Sequence, residues 1–233
     1  MNKLLGPLGY RLVKASDTSI GSRGHVLHSY VKDDGSFDYD RYRAVQEAGN
    51  KRKLQHVWVV EENVRKLSDY IREVVGTPRF GLCHGTRRGM EQAWFRKYLD
   101  CEVLGTEISE TAEDFPYTIQ WDFHEVKEEW LDAVDFIYSN SFDHSYDPEK
   151  CLNAWMSCVR EGGVCILEHG EAHGPEGTSE LDPFGADLVQ LTYLITRWGK
   201  GRYGVRELLR GEAPKPGMPA AHHIVIQRFP ERG

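Results

Sequence analysis

The spacing of apolar positions changes near residue 78. Ahead of that point Val60, Val64, Leu67, Ile71 and Val74 recur at intervals of 4, 3, 4 and 3, the stripe of an amphipathic helix. The stripe stops at Gly76-Thr77-Pro78, a glycine suited to a left-handed cap with a proline beyond it. A polar helix is expected from Asp38 to Gln46. Residues 1–35, with Gly6, Pro7, Gly9, Gly21, Gly24 and Gly35, read as irregular apart from a short strand near Tyr10–Val13.

Beyond residue 78 short apolar runs alternate with helical stripes. The expected strands are Arg79–Cys83, Glu102–Ile108, Thr118–Trp121, Val134–Ser139, Val164–Leu167, Tyr203–Leu209 and His222–Phe229. The expected helices are Gly89–Leu99, one opening at Asp147-Pro148 and ending at Gly162-Gly163, and one carrying Leu188, Leu191, Ile195 and Trp198. Pro214, Pro216 and Pro219 mark the loop between the last two strands. Such alternation specifies an α/β fold: a doubly wound, mostly parallel seven-stranded sheet with helices on both faces. Residues 1–77 then form an N-terminal irregular and helical cover, and residues 78–233 the sheet domain, with a lid insertion at about 170–200.

Composition narrows the function classes. The 29 Lys and Arg against 36 Asp and Glu give a net charge of −7, which opposes nucleic-acid binding by phosphate neutralisation. The cluster Arg41, Arg43, Lys51, Arg52 and Lys53 is interrupted by Glu47 and reads as a solvated helix face. No apolar run approaches the ~20 residues of a membrane span, and no signal peptide is read at the N-terminus. Five cysteines without a CxxC pair fit neither a disulfide framework nor a zinc finger, so a cytoplasmic setting is expected.

The chemistry concentrates where strands end, since ligands of such sheets bind beyond the carboxyl ends of the strands. Phe80-Gly81-Leu82-Cys83-His84-Gly85-Thr86-Arg87-Arg88-Gly89-Met90-Glu91 places three glycines at a strand–helix junction, where a ligand can approach the backbone and the helix N-terminus offers free N–H groups. Glu107 follows Gly85 by 22 residues, at the end of the next strand, where a carboxylate can accept both hydroxyls of a ribose. Trp121-Asp122-Phe123 ends the third strand, and its Asp can accept the exocyclic amine of adenine. Asn140, Asp143 and His144 follow the fourth strand and bring an amide, a carboxylate and an imidazole to the same edge.

The succession Phe80–Gly89, Gly105-Thr106-Glu107-Ile108-Ser109, Trp121-Asp122-Phe123, Asp135–His144 and Arg160-Glu161-Gly162-Gly163-Val164 resembles the motif series of class I S-adenosylmethionine-dependent methyltransferases, in their small-molecule branch. The resemblance implies a Rossmann-like methyltransferase fold, S-adenosylmethionine as cofactor and S-adenosylhomocysteine as product. It implies that Gly81, Cys83, His84, Gly85, Thr86, Arg87 and Gly89 line the methionine part, Glu107 and Ile108 the ribose, and Asp122 and Phe123 the adenine. Ser139, Asn140 and Ser141 would pass beside the sulfonium. The first motif departs from the family, because the usual acidic residue on strand one and the G-x-G-x-G run are replaced by a wider loop carrying Arg87 and Arg88. Either arginine can pair with the cofactor carboxylate or form a solvated turn.

The expected function is methyl transfer to a small-molecule acceptor, with oxygen the expected atom and Asn140, Asp143 and His144 the catalytic candidates. His144 serves either as base or as a support of the cofactor loop. Glu168 and His169, ahead of Glu171 and His173, are the alternative base, and no metal is expected in so glycine-rich a loop. His222 and His223 should point to opposite faces of their strand. Trp58 and His56, ahead of the amphipathic helix, either cover the substrate pocket or, as the expected reading of Trp58, pack in the core. A nicotinamide-dependent oxidoreductase and a non-catalytic cofactor-binding module are the alternatives, although no G-x-G-x-x-G spacing is present.

Overall fold

A computed structural model describes residues 18–20, 24–213, 217 and 219–230. The strand expected near Tyr10–Val13, and Pro214 and Pro216, lie outside the described residues. The chain runs β1 (Thr18–Ile20), β2 (His25–His28), α1 (Tyr39–Arg52), α2 (Glu61–Val75), β3 (Phe80–His84), α3 (Met90–Leu99), β4 (Glu102–Glu107), β5 (Thr118–Gln120), β6 (Val134–Ser139), α4 (Pro148–Cys158), β7 (Val159–His169), β8 (Phe184–Ala186), α5 (Leu188–Gly199), β9 (Tyr203–Arg210) and β10 (His222–Arg228).

Seven strands pair in the order β5-β4-β3-β6-β7-β10-β9. Strands β3 to β7 are parallel, and β10 runs antiparallel to both β7 and β9. The last strand in sequence is thus inserted between β7 and β9, unlike the 3-2-1-4-5-6 order of a dinucleotide-binding sheet. All six residues of β6 are buried, as a central strand covered on both faces requires. On one face Cys83, Phe136, Tyr138, Ile166 and Val225 meet α2 and α3; on the other Leu82, Ile137, Leu167 and Ile224 meet α4 and α5.

Asp135 ties the centre of the sheet together. Its Oδ2 accepts from the amides of Arg79 (2.7 Å) and Phe80 (3.0 Å), and its Oδ1 from Arg160 Nε (2.6 Å). Burial raises this carboxyl, but those donors outweigh it and hold it below its ordinary value.

Two boundaries differ from expectation. Helix α4 ends at Cys158, not at Gly162-Gly163, because Val159 is already extended and pairs with Val134. The glycines sit inside β7, where the register shifts between Val134 and Phe136; a Cβ on Gly163 would lie 2.8 Å from the Asp135 carbonyl oxygen. Helix α1 runs past Gln46 to Arg52, through Gly49-Asn50. Gly49 is needed there because Leu181 packs so closely that a Cβ would lie 2.2 Å from its Cδ1.

Strands β1, β2 and β8 form a separate antiparallel three-stranded sheet. Residues 170–187 meet residues 24–38 through the Tyr30 hydroxyl donating to the Glu180 carbonyl, and meet α1 through the Gln46 amide donating to the Leu181 carbonyl (2.9 Å). Helix α5 packs on the large sheet instead, through Leu191, Leu194, Ile195 and Trp198.

Candidate active site

The β3–α3 turn folds over the end of β4, since the amides of Gly85 (2.9 Å) and Thr86 (3.2 Å) both donate to the Thr106 carbonyl. Gly85 has φ +72°, and a Cβ on it would lie 2.6 Å from Ser141 Cβ, so the turn touches the loop after β6. Glu107 is buried at the end of β4. Its carboxylate accepts from Arg87 N (3.0 Å) and Ser109 N (3.2 Å). Burial pushes this carboxyl above its ordinary value against the pull of the two amides.

Next to Glu107, the residues Ile108, Asp122 and Phe123 line a recess of about 50 Å³, closed by Tyr42, Gln46, Gly49 and Asn50 of α1. Asn50 Nδ2 is buried without a partner. Both Asp122 oxygens are engaged: Tyr39 Oη donates to Oδ2 (2.8 Å), while the amide and Nδ1 of His124 meet Oδ1 (2.9 and 2.8 Å). Burial raises Asp122, but the donors outweigh it and keep its carboxyl low. Asp122 therefore clasps α1 to the sheet edge.

A larger cavity of about 520 Å³ opens beside this recess. Gly85, Thr86, Arg87, Asn140, Ser141, Asp143 and His144 line it, so the structure brings these expected site residues together. Gly81, Cys83, His84, Gly89 and Ser139 line neither space. Gly81 and Cys83 face the core, where a Cβ on Gly81 would meet the Phe136 ring at 2.3 Å and burial raises the Cys83 thiol. His84 stacks on Trp155 (4.6 Å between centroids) and is lowered to about 3 by burial. Gly89, at φ +73°, caps α3, and Ser139 Oγ donates to the His84 carbonyl.

His144 has a defined tautomer. Gln46 Nε2 is committed to the Leu181 carbonyl, so its Oε1, 2.8 Å from His144 Nδ1, accepts the proton on Nδ1. Nε2 lies 3.4 Å from Asp182 Oδ1. Asp143 is approached by His173 Nε2 at 3.9 Å. Asp143, His144 and Asp182 each bring one ligand atom within 4.8 Å of the others, a grouping that could hold a divalent cation. His169 is lowered to about 4, first by burial and then by His173.

The sequence reading missed Gln46 and Asp182, which reach His144 across 98 and 38 residues of chain, and gave Glu91 no role. Only Glu91 left a signal, an acidic residue in a helical first turn otherwise destined for the core. Trp58 differs from expectation: it is 41% exposed, stacks on His56 and lines the cavity rather than the core, because the loop ahead of α2 runs over the cavity mouth. His222 and His223 do face opposite ways, with His223 buried against Glu168.

No protein-family model matches the sequence, and no curated protein matches it. Solved structures do match. The Burkholderia thailandensis 1,6-didemethyltoxoflavin-N1-methyltransferase, bound to 1,6-didemethyltoxoflavin and S-adenosylhomocysteine, superposes at a TM-score of 0.63 and 14% identity, over 92% of this chain and 100% of that one. This is the fold of the S-adenosylmethionine-dependent methyltransferases. The plantazolicin methyltransferase BpumL, in complex with a triazolic desmethylPZN analog and S-adenosylhomocysteine, matches at 0.61 and 11% identity over 82% and 96% of the two chains. The N-methyltransferase NodS of Bradyrhizobium japonicum WM9, in complex with S-adenosylhomocysteine, matches at 0.57 and 11% over 80% and 99%. The chain thus has this fold at 11–14% identity to the matched structures.

Proposed function

We propose that the protein transfers a methyl group from S-adenosylmethionine to an oxygen of a small-molecule acceptor. One observation carries the reading: His144, its Nδ1 2.8 Å from Gln46 Oε1, lines the same cavity as the Gly85-Thr86-Arg87 turn between β3 and α3. The residues fit the cofactor. Glu107 offers carboxylate oxygens and Asn50 an orphan N–H donor at one recess, while Gly85 allows close backbone approach beside Asn140 and Ser141. The recess is far below the roughly 300–1,000 Å³ of a ligand pocket, so nucleoside entry requires α1 to move away from Phe123.

When bound, the cofactor supplies an activated methyl group on a sulfonium. The chain's own work is to align the acceptor, exclude water and take its proton. His144 Nε2 receives that proton, Gln46 keeps Nδ1 protonated throughout, and Asp182 stabilises the imidazolium that results. Trp58 and His56 at the cavity mouth shield the reacting atoms.

The test is calorimetry with S-adenosylhomocysteine, followed by labelled methyl transfer from S-adenosylmethionine to a panel of small hydroxylated acceptors. Glu107→Ala should weaken nucleoside binding about tenfold or more through loss of charge-assisted hydrogen bonds. Binding of NAD in place of either sulfur nucleoside would overturn the reading, and tight nucleoside binding without product from any acceptor would leave a binding module.

A further inference from the structure

Apart from the His144 group, Glu91, Glu168 and Glu171 line the same cavity and are not used by the proposed reaction, and the first two are buried or anchored. Glu91, in the first turn of α3, is 6% exposed, and its Oε2 is sealed from solvent without a hydrogen-bond partner. Buried polar atoms without a partner are rare in folded proteins and call for an explanation. Glu168, near the end of β7, lines the cavity with it. Tyr138 Oη (2.9 Å) and His223 Nε2 (3.1 Å) both bond to its Oε2, and among the described residues no hydrogen bond falls on Oε1. Tyr138 and His223 are themselves buried, so the Glu168 carboxylate is held in place from the sheet side.

Burial raises Glu91 most, Arg87 pulls it down, and Glu168 adds to the rise. An anionic ligand group would be repelled by Glu168, and a hydroxyl can bond to both carboxyl groups only while Glu91, raised to about 8, keeps its proton. A protonated nitrogen carries several N–H donors and the opposite charge, and satisfies both. Val57, Met90 and Ala221 add apolar surface to the same cavity.

We infer that Glu91 and Glu168 form a subsite for a positively charged nitrogen, carried either by the acceptor or by the amino-acid end of the cofactor. The inference rests on the methyltransferase reading only for the source of that nitrogen.

Two matched pairs of probes test it on the full chain by calorimetry. S-adenosylhomocysteine is compared with 5′-deoxy-5′-methylthioadenosine, which lacks the amino-acid end, and benzylamine with benzyl alcohol. The wild type should prefer the charged member of at least one pair by about tenfold or more, and Glu91→Gln and Glu168→Gln should each abolish that preference with the neutral member unaffected. Loss confined to the nucleoside pair assigns the nitrogen to the cofactor; loss confined to the benzyl pair assigns it to the acceptor. No charge preference in either pair, or a preference that survives in folded variants, overturns the subsite. Should Glu168→Gln fail to fold, Glu91→Gln decides alone, because its amide is isosteric with a protonated carboxyl. A wild type that binds neither nucleoside refutes the methyltransferase reading, and the benzyl pair still decides the subsite.

Discussion

Gln46 Oε1 lies 2.8 Å from His144 Nδ1, so a helix of the cover sets the tautomer of a histidine at the end of the central strand. The relationship makes α1 part of the proposed chemistry. His144→Ala should lower turnover by ~10²–10⁴ and leave S-adenosylhomocysteine affinity nearly intact. Gln46→Leu should lower kcat without unfolding the chain, and Gln46→Glu, which keeps an acceptor opposite Nδ1, should recover most of the loss. Steady-state kinetics beside calorimetry check this. Turnover that survives His144→Ala but fails in Glu168→Gln or His169→Ala would move the base to the end of β7.

Gly85 and Ser141 supply a second test, of the turn that shapes the cavity. A side chain at Gly85 meets two obstacles, a φ of +72° and a Ser141 Cβ only 2.6 Å from the new Cβ. Gly85→Ala should destabilise the fold by about 1–3 kcal/mol in urea denaturation. Ser141→Gly removes the contact but not the backbone cost, so the double variant should recover part of the loss. Strict additivity of the two substitutions would show that the turn and the β6 loop do not press on each other.

The sheet was legible because its strands are apolar runs of the right length between turn residues, and Val134–Ser139 is recovered without a shift. The extent of α1 was not, since its last turn carries Gly49, whose place in the helix is explained only by the packing of Leu181, far away in sequence. The same reason limited the reading of the site. Glu107, Asn140 and His144 sit at strand ends, which local pattern reveals. Gln46 and Asp182 reach His144 only through the packing of the cover, and no local pattern carries that contact. Cys83 and His84 belong to the expected glycine-loop motif, yet strand alternation turns their side chains into the core.

Asp122 binds Tyr39 and His124 at once, which makes it the clasp of α1. Asp122→Ala should leave the large sheet folded but raise amide hydrogen exchange across residues 39–52 by about tenfold or more, the equivalent of ~1.4 kcal/mol of local stability. Exchange that rises equally in β3 and β6 would mean that Asp122 supports the whole fold. Unchanged exchange in α1 would mean that the clasp is dispensable.

Glu91 should leave a mark on stability as a function of pH. Burial, the main cause, moves its carboxyl from an ordinary value of 4.5 up to about 8 in the folded protein. Between those values the unfolded chain has lost the proton and the folded chain has kept it, so the folded state binds more protons and stability falls as pH rises. Above about 8 both states are ionised at this position and the slope vanishes. His84 and His169, lowered by burial to about 3 and about 4, act in the opposite direction on the acid side, where stability rises with pH towards their ordinary value of 6.5. Those two are common to the wild type and Glu91→Gln, so the difference between the two proteins isolates Glu91. Urea denaturation at about pH 5, 7 and 9 should show the variant gaining on the wild type through this range, with the largest gap at the alkaline end. A difference that stays constant with pH would show that Glu91 titrates alike in the folded and unfolded chains, and that its carboxyl is hydrated in the folded protein.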